Sequence, residues 1–324
     1  MAGGDVPVDA NGLDDRAGTV GGVRNGQRVE SASVPPPQAV SDVSDDSDDP
    51  LFGPRSVTWR VHADPIFPIA GVRALILQAL HPLTMAAVAQ HRGFDEDFWG
   101  RLDRTGRYVS TLTYAPASSA RRAAAQVRGI HRKLRGTDPD TGETFRLDRP
   151  DLLLWVHCCE VESFLSTARR AGAPITAEDA DRYLREQVQV AEMVGIPPRM
   201  VPASVEQMDR YFADVQPDLR LTDDARRGVR VLVLPPMAGK VRFLTPARPA
   251  WAGLAGVAFG LLPSWARRRY RMPGLPTTDL AATGGVRALR AALLALPDNW
   301  TGPPEVIAAR SEMARLTQLE GRAG

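Results

Sequence analysis

The feature that most constrains the fold of this chain is the helical spacing of its apolar residues from Leu51 onward. Apolar side chains recur at steps of three and four, a period that places them on one face of an α-helix. The clearest run consists of Val72, Leu75, Ile76, Ala79 and Leu80. No comparable set of alternating strand segments accompanies it. The spacing therefore predicts an all-α fold.

Helix-start residues add boundaries to this prediction. Thr176, Ser204 and Thr222 each precede an amphipathic segment with acidic residues near its start, as N-cap residues do. We predict about ten helices, at residues 69–91, 95–113, 118–135, 150–171, 177–194, 205–215, 222–234, 249–271, 279–295 and 304–317. Because no repeat or linker interrupts the region, residues 51–324 form one predicted domain.

Composition sets the first 50 residues apart. They are rich in Gly, Ser, Pro and Asp, contain almost no large apolar side chains, and end in the acidic run SDVSDDSDDP. Such a segment buries too little apolar surface to fold, which predicts a disordered acidic tail over residues 1–50. The N-terminus has no basic region followed by an apolar run, so we expect neither a secretory signal nor an anchor there.

Charge and cysteine content narrow the partners and the compartment. The chain has 40 Lys and Arg against 38 Asp and Glu, a net charge of +2, and therefore lacks the basic excess typical of nucleic-acid-binding domains. Its two cysteines, Cys158 and Cys159, are adjacent and poorly placed for a disulfide with each other. We expect no nucleic-acid partner and a cytoplasmic location.

One apolar segment, Ala250–Trp265, raises the question of membrane contact. It is shorter than the roughly 20 residues that span a bilayer and contains Pro263, which favours a buried or interfacial helix. An arginine run follows, at Arg267, Arg268, Arg269 and Arg271. The run can bind anionic lipid head groups, giving peripheral membrane contact through Ala250 to Arg271, or it can be a solvated helix end.

Four of the five histidines lie between Gly71 and His157, and histidine commonly ligates metals and haem iron. In the predicted helix 118–135, His131 shares a face with Arg128 and Arg135 and with aliphatic residues. This face suits a haem: imidazole binds iron, aliphatic groups cover the porphyrin, and arginines neutralise the propionates. The alternative is a histidine and arginines that simply face water.

Two further histidines lie in apolar sequence. His157 is predicted to be buried, with Glu160 one turn later as a local partner. It can be an axial ligand, a group that supports the ligand, an acid or base, or a satisfied core residue. His81 precedes Pro82, which should kink or interrupt its helix. The imidazole and the freed carbonyls there can line a pocket or satisfy one another.

A positive, hydroxyl-bearing wall is predicted on the helix over residues 95–113. Its members share overlapping helix faces. They are Arg101, Arg104, Thr105 and Tyr108. The wall can bind a carboxylate or polarise a bound oxygen molecule, or its arginines can form salt bridges to Asp95, Asp97 or Asp103.

Taken together, these segments resemble the MpaB-type oxygenase family. That family includes the catalytic domain of latex-clearing rubber oxygenases and the membrane-bound oxygenase of mycophenolic acid biosynthesis. The resemblance covers about residues 51–270 and rests on the order of four segments. These are Leu75 to Pro82, Arg101-x-x-Arg104-Thr105, Val127-Arg128-x-x-His131-x-x-x-Arg135-Gly136, and a DxxxWVH motif over Asp151–His157.

The resemblance implies a globin-reminiscent helical fold that holds haem b and an oxidoreductase that uses O2 on an isoprenoid, lipid or polyketide-like substrate. His131 matches the proximal iron ligand of the rubber oxygenases, and Arg135 also matches their pattern. Arg101 and Thr105 match distal residues, with Arg104 and Thr105 donating hydrogen bonds to the bound oxygen. His81 and His157 then orient the substrate or support the haem pocket.

Two departures from the latex-clearing pattern matter. Arg104 stands where those proteins have lysine, and because arginine stays protonated, the resemblance implies a distal position that is open or held by water. Those proteins also have a distal glutamate, and no matching carboxylate lies near Met85 to Gln90. This argues against rubber cleavage.

Two other classes of function remain open at the level of sequence. A non-haem metalloenzyme would use His131, His157, Glu160 and Glu162, although the paired Glu-x-x-His motifs of bundle di-iron proteins are absent. A non-catalytic protein would sequester haem or a lipid in the same helical pocket. The sequence identifies no electron donor.

Overall fold

The computed structural model describes residues 48–91, 97–272, 275–297 and 302–323, without the side chains of residues 242–244 and 323. Within these ranges the chain forms fourteen α-helices and one two-stranded antiparallel sheet. The all-α prediction is confirmed. Most of the predicted acidic tail, residues 1–47, lies outside the described residues. Asp48, near its end, accepts hydrogen bonds from the backbone and hydroxyl of Ser118.

The helices are α1 (Val57–His62), α2 (Phe67–Gln78), α3 (Pro82–Gln90), α4 (Phe98–Tyr114), α5 (Ala117–Lys133), α6 (Pro150–Arg170), α7 (Ala177–Val194), α8 (Val205–Val215), α9 (Asp223–Val233), α10 (Gly239–Leu244), α11 (Ala247–Gly260), α12 (Ser264–Arg269), α13 (Pro276–Leu294) and α14 (Pro304–Ala323). Between α5 and α6, β1 (Arg135–Thr137) pairs with β2 (Thr144–Arg146).

Proline explains where the structure has more helices than the sequence predicts. The predicted helix 69–91 is two helices, α2 and α3, bent by 103° at the break before Pro82. The predicted helix 249–271 is likewise divided into α11 and α12 at Pro263. Because proline lacks an N–H, it can start a helix but not continue one. The additional helices α1 and α10 have six residues each, too few for a clear period.

The predicted N-caps are confirmed. Thr176 accepts a hydrogen bond from the Asp179 N–H, and the Asp179 carboxylate in turn accepts one from the Thr176 N–H. The Ser204 and Thr222 hydroxyls likewise accept from the Gln207 and Ala225 N–H groups and cap α8 and α9. These side chains satisfy N–H groups that have no partner within the helix, which fixes where each helix begins.

Helix α6 lies at the centre of the core and packs against α2. On α6, Trp155, Cys158 and Cys159 are fully buried, and on α2, Ile76 and Leu77 are. Both cysteines are free thiols, and burial raises the pKa of each. They therefore act as small core residues rather than as reactive thiolates.

A buried ion pair joins the two central helices. Arg73 of α2, 1% exposed, bonds both carboxylate oxygens of Glu162 of α6, at 2.5 Å and 3.0 Å. The same guanidinium donates to the Ser163 hydroxyl at 2.6 Å and to the Leu261 carbonyl at 3.0 Å. Arg170 also donates to the Leu261 carbonyl. The charge on Arg73 is thus fully partnered although it is removed from water.

Within the described residues no single helix is long and apolar enough to cross a membrane. Helices α2 and α3 reach that length and apolar character only when taken together, and the chain bends sharply between them. Helix α11 buries Ala255 and Ala258, in agreement with a buried or interfacial helix. Arg267 neither is free to bind lipid head groups nor lies at a solvated helix end, the two alternatives that the sequence left open. Its side chain is 1% exposed, donates to the Gly260 and Leu262 carbonyls, and pairs with Asp279 at 2.8 Å.

Candidate active site

His131 lies in the last turn of α5 and is partly buried. Its Nδ1 atom is buried and has no hydrogen-bond partner among the described residues. Burial lowers the pKa of the ring below its usual 6.5, and the backbone of Val127, one turn earlier, opposes this shift. The ring is therefore neutral at pH 7 and able to bind a metal.

The placement of Arg135 on the helical face of His131 was wrong. Helix α5 ends at Lys133, Leu134 is extended, and Arg135 begins β1 opposite Arg146. The exposed Arg135 guanidinium instead donates to the carbonyls of Arg132 and Leu134, at 2.7 Å and 2.9 Å, at the end of α5.

Gly136 explains why the chain leaves the helix here. A Cβ atom at this position would lie 2.5 Å from the ring of Phe145, its partner across the sheet. Only glycine lets the ring pack over the strand at this distance. The pairing of β1 with β2 therefore takes precedence over another turn of α5.

Arg128 does share a face with His131, three residues earlier. Its guanidinium donates to the Met193 carbonyl at 2.9 Å. A Cβ atom at Gly195, whose φ of 103° ends α7, would lie 3.6 Å from the Cδ atom of Arg128. Arg128 thus ties α5 to the end of α7 and fixes the helix that carries His131.

Helix α4 presents the predicted wall, and its character changes along the helix. Arg104 forms an ion pair with Asp97 at 2.8 Å, with both side chains more than half exposed. A salt bridge to Asp97 is one of the alternatives that the sequence analysis gave for the arginines of this wall. The exposed Thr105 donates to the Arg101 carbonyl at 2.9 Å, and burial lowers the pKa of Arg101. One turn on, the hydroxyl of Tyr108 is buried without a hydrogen-bond partner among the described residues.

His157 is buried as predicted, at 7% exposure, and burial lowers its pKa to about 4. The prediction of Glu160 as its partner is not supported, because the Glu160 carboxyl is hydrogen-bonded by Gln78 of α2. The Gln78 amide also donates to the Val156 carbonyl, one turn before Glu160, at 3.3 Å. Gln78 therefore connects α2 to the face of α6 that carries Glu160.

Glu160 is the most perturbed carboxyl of this region. Burial raises its pKa to about 7, and the hydrogen bond from Gln78 opposes that rise. Its charge in turn raises the pKa of Tyr108 on α4 and of Tyr183 on α7, although burial is the larger cause for both. With a pKa of about 7, Glu160 is half-protonated near pH 7.

The pKa of Glu160 gives a testable dependence of stability on pH. A carboxyl whose pKa is raised in the folded state stabilises the fold at acid pH, and this contribution is lost as pH rises through the folded pKa of about 7. Glu160→Gln removes the titration. We expect the unfolding free energy of the variant, relative to wild type, to rise by about 2 kcal/mol between pH 5 and pH 8.

Urea unfolding at both pH values measures this difference, with the exposed Glu143→Gln as the matched control. His157, whose pKa is lowered, contributes the opposite trend, since its contribution is lost as pH falls from 6.5 through about 4. That trend is common to wild type and variant and cancels in the comparison. A pH-independent difference for Glu160→Gln would contradict the assignment.

His81 caps α3. Its Nδ1 accepts a long hydrogen bond, 3.5 Å, from the Thr84 N–H, and its ring lies 6.0 Å from that of Trp155. Burial lowers its pKa, so the ring is neutral at pH 7 and can serve as this acceptor. The sequence left two possibilities for His81, lining a pocket or hydrogen-bonding with the nearby backbone. The contact with the Thr84 N–H favours the second.

His62 is a satisfied core residue in α1. Its ring nitrogens contact the Thr113 hydroxyl at 2.8 Å and the Tyr183 hydroxyl at 3.0 Å. Burial lowers its pKa to about 3. Of the non-haem ligand set, Glu162 is held by Arg73, and no three His, Cys, Asp or Glu side chains of the described residues form a potential metal site.

An apolar cavity of about 490 Å³ lies beside the first turn of α4, next to α10 and α11. Its lining contains no charged side chain: Trp99, Met237, Ala238, Val241, Ala247, Ala250, Trp251 and Leu254. The rings of Trp99 and Trp251 meet edge to face at 5.0 Å. Sequence reasoning missed this cavity because its walls come from segments about 150 residues apart.

A family model described as the ER-bound oxygenase mpaB/B'/rubber oxygenase catalytic domain matches residues 59–295. The match begins in α1, ends after α13, and includes every candidate residue above. The chain belongs to this family. No curated protein and no solved structure matches it. As a member of the mpaB/rubber oxygenase family, the protein is an oxidoreductase whose reactants are O2 and a small molecule.

Proposed function

We propose that this family member is a haem b-dependent oxygenase of an apolar substrate, with His131 as the proximal iron ligand. The observation that carries the proposal is the state of the His131 ring. The ring is neutral, and its Nδ1 is buried without a hydrogen-bond partner among the described residues. A neutral imidazole keeps a nitrogen lone pair that can bind iron.

The residues around His131 fit the same group. Arg128 is fixed beside it on α5, and the exposed Arg135 follows directly after the helix, so two guanidiniums are available to carboxylates such as propionates. On α4, which packs along α5, Arg101, Arg104 and Thr105 supply donors. The Arg104–Asp97 pair is exposed, and such pairs contribute at most about 1 kcal/mol, so Arg104 can exchange this partner for another.

Haem, when bound, supplies the redox-active iron that activates O2. The chain's own residues bind and orient. His131 holds the iron, and Arg104 and Thr105 direct a permanent positive charge and a hydroxyl toward bound polar groups. His157 stays neutral within the core and supports the pocket, and His81 fixes the start of α3.

An apolar substrate is supported by the cavity beside Trp99, because an uncharged lining of this kind favours hydrocarbon groups. Helix α4 carries both Trp99 and the donors Arg104 and Thr105, and so connects the cavity to the proposed distal wall. We place the protein in the cytoplasm, with peripheral membrane contact through the exposed Arg268, Arg269 and Arg271.

The visible spectrum of protein purified from haem-supplemented cells tests the proposal, together with a pyridine haemochrome assay and metal analysis. We expect a Soret band, a b-type haemochrome, and about one iron per chain. O2 consumption with isoprenoid, lipid and polyketide substrates then separates an oxygenase from a carrier. Bound iron, manganese or zinc without haem would contradict the haem assignment and favour a non-haem site.

A further inference from the structure

We infer that a groove beside α9 binds an anionic amphiphile, a single hydrocarbon chain that ends in a carboxylate. The groove has a volume of about 370 Å³, within the range of about 300–1,000 Å³ that is usual for small-molecule sites. It shares no lining residue with the apolar cavity beside Trp99. This inference goes beyond the proposed function and does not depend on haem.

The walls of this α9 groove are mostly apolar. Its apolar lining residues are Leu221, Val229, Val233, Leu234 and Tyr270. Val229, Val233 and Tyr270 also pack against the main core, which fixes their positions. The Tyr270 hydroxyl donates to the Ile76 carbonyl of α2 at 2.6 Å, so the surface that Tyr270 offers to a ligand is its apolar ring.

One apolar wall residue is left largely in water. Leu234, at the end of α9, is 46% exposed. A single exposed leucine is common on protein surfaces, but this one lines a groove whose other apolar walls are packed against the core. A hydrocarbon chain in the α9 groove would remove Leu234 from water, which favours binding.

Two arginines of α9 complete the lining of the groove. Arg226 and Arg230 are four residues apart and therefore lie on one face of the helix. Arg226 pairs with Asp223 at 2.6 Å, but both side chains are exposed and such a pair is readily exchanged. Arg230 is exposed and forms no ion pair with any described Asp or Glu. Its guanidinium is therefore available to a carboxylate beside the apolar walls.

The charge of the surrounding sequence favours an anion over a neutral ligand. Residues 225–278 contain ten Lys and Arg and no Asp or Glu, although the whole chain is nearly balanced at 40 basic and 38 acidic residues. The two aspartates directly before this stretch are each paired with an arginine of α9. Arg269 and Arg271, on either side of Tyr270, are exposed. A carboxylate at the α9 groove therefore meets an excess of positive charge.

Decanoate and decanol test the charge requirement, because they have the same chain length and differ in the head group. Equilibrium dialysis of the full-length protein at neutral pH, below micelle-forming concentrations, measures the dissociation constant of each. We expect the wild type to bind decanoate about tenfold more tightly than decanol. Arg230→Gln should weaken decanoate binding about tenfold and leave decanol binding within about twofold, because it removes a charged hydrogen-bond donor.

Two further variants make the result specific. Arg227→Gln makes the same change at an exposed arginine of α9 that does not line the groove, and should leave both dissociation constants within about twofold. Leu234→Ser removes part of the apolar wall and should weaken both ligands alike, by about fivefold. Because all three side chains are exposed, the urea midpoints should equal that of wild type, which separates loss of binding from loss of fold.

Equal decanoate affinity in wild type and Arg230→Gln, or no decanoate binding to wild type, would overturn the proposal. Sedimentation with phosphatidylglycerol vesicles examines the same chemistry in a bilayer. Vesicle binding that depends on Arg230, in a protein that does not bind free decanoate, would make the groove a membrane contact and refute the single-amphiphile site. Protein that lacks haem but loses decanoate selectivity on Arg230→Gln would keep the site and refute only the haem assignment.

Discussion

His131→Ala is expected to abolish haem retention. The substitution removes an imidazole whose buried Nδ1 has no hydrogen-bond partner among the described residues, and with it the proposed bond to iron. Arg128 and Arg135 would still attract propionates, but such contacts alone do not hold haem through purification. The measurement is haem per chain from the pyridine haemochrome after gel filtration, with wild type expected near one and the variant near zero.

The control for this loss is His157→Ala, which should retain at least part of the haem. His157 lies in the core, so its removal leaves a cavity and lowers stability without removing the proposed ligand. Urea unfolding of both variants separates loss of haem from loss of fold. Because His131 lies at a partly exposed helix end, its variant should unfold within about 1 kcal/mol of wild-type apoprotein. Full haem content in His131→Ala would refute the ligand assignment.

Arg73→Met is expected to lower the unfolding free energy by about 3–5 kcal/mol, because it leaves the largely buried Glu162 carboxylate without its cation. The Ser163 hydroxyl and the Leu261 carbonyl lose a donor as well, although Leu261 keeps its bond from Arg170. Urea unfolding followed by circular dichroism measures the change.

Two comparisons make the result specific. Arg107→Met removes an ion pair of α4 in which both side chains, Arg107 and Asp103, are well exposed, and should cost less than about 1 kcal/mol. The double variant Arg73→Met with Glu162→Leu removes both buried charges and should recover most of the loss. A single Arg73→Met variant as stable as Arg107→Met would show that the buried pair contributes little.

The parts of the fold that depend on local chemistry follow from the sequence. Helices α7 and α8 begin and end at the predicted residues, because Thr176 and Ser204 supply the caps. The break between α2 and α3 follows from Pro82. The end of α5 did not follow, because β1 is set by pairing with β2 and by the close contact between Gly136 and Phe145. The local pattern through Arg135 was still compatible with a helix.

The site shows the same division. The roles of His131 and of the α4 wall are predictions from spacing and from the family resemblance. The ion pair of Arg73 with Glu162 joins two helices through residues 89 apart in sequence, so no local period reports it. Sequence also assigned Glu160 to His157, one turn away, because helical neighbours are the contacts that spacing predicts. In the fold, Gln78 of another helix takes that place.

The hydrogen bonds around the Leu261 carbonyl, at the end of α11, indicate how far the C-terminus can be shortened before the fold is destabilised. It accepts from Arg73 of α2 and from Arg170 of α6, and Arg170 also bonds Thr283 of α13. A chain cut near residue 270, where the sequence resemblance ends, would lose Asp279 and leave Arg267 charged and buried. The smallest cooperative unfolding unit therefore extends through α13, close to where the family match ends at residue 295.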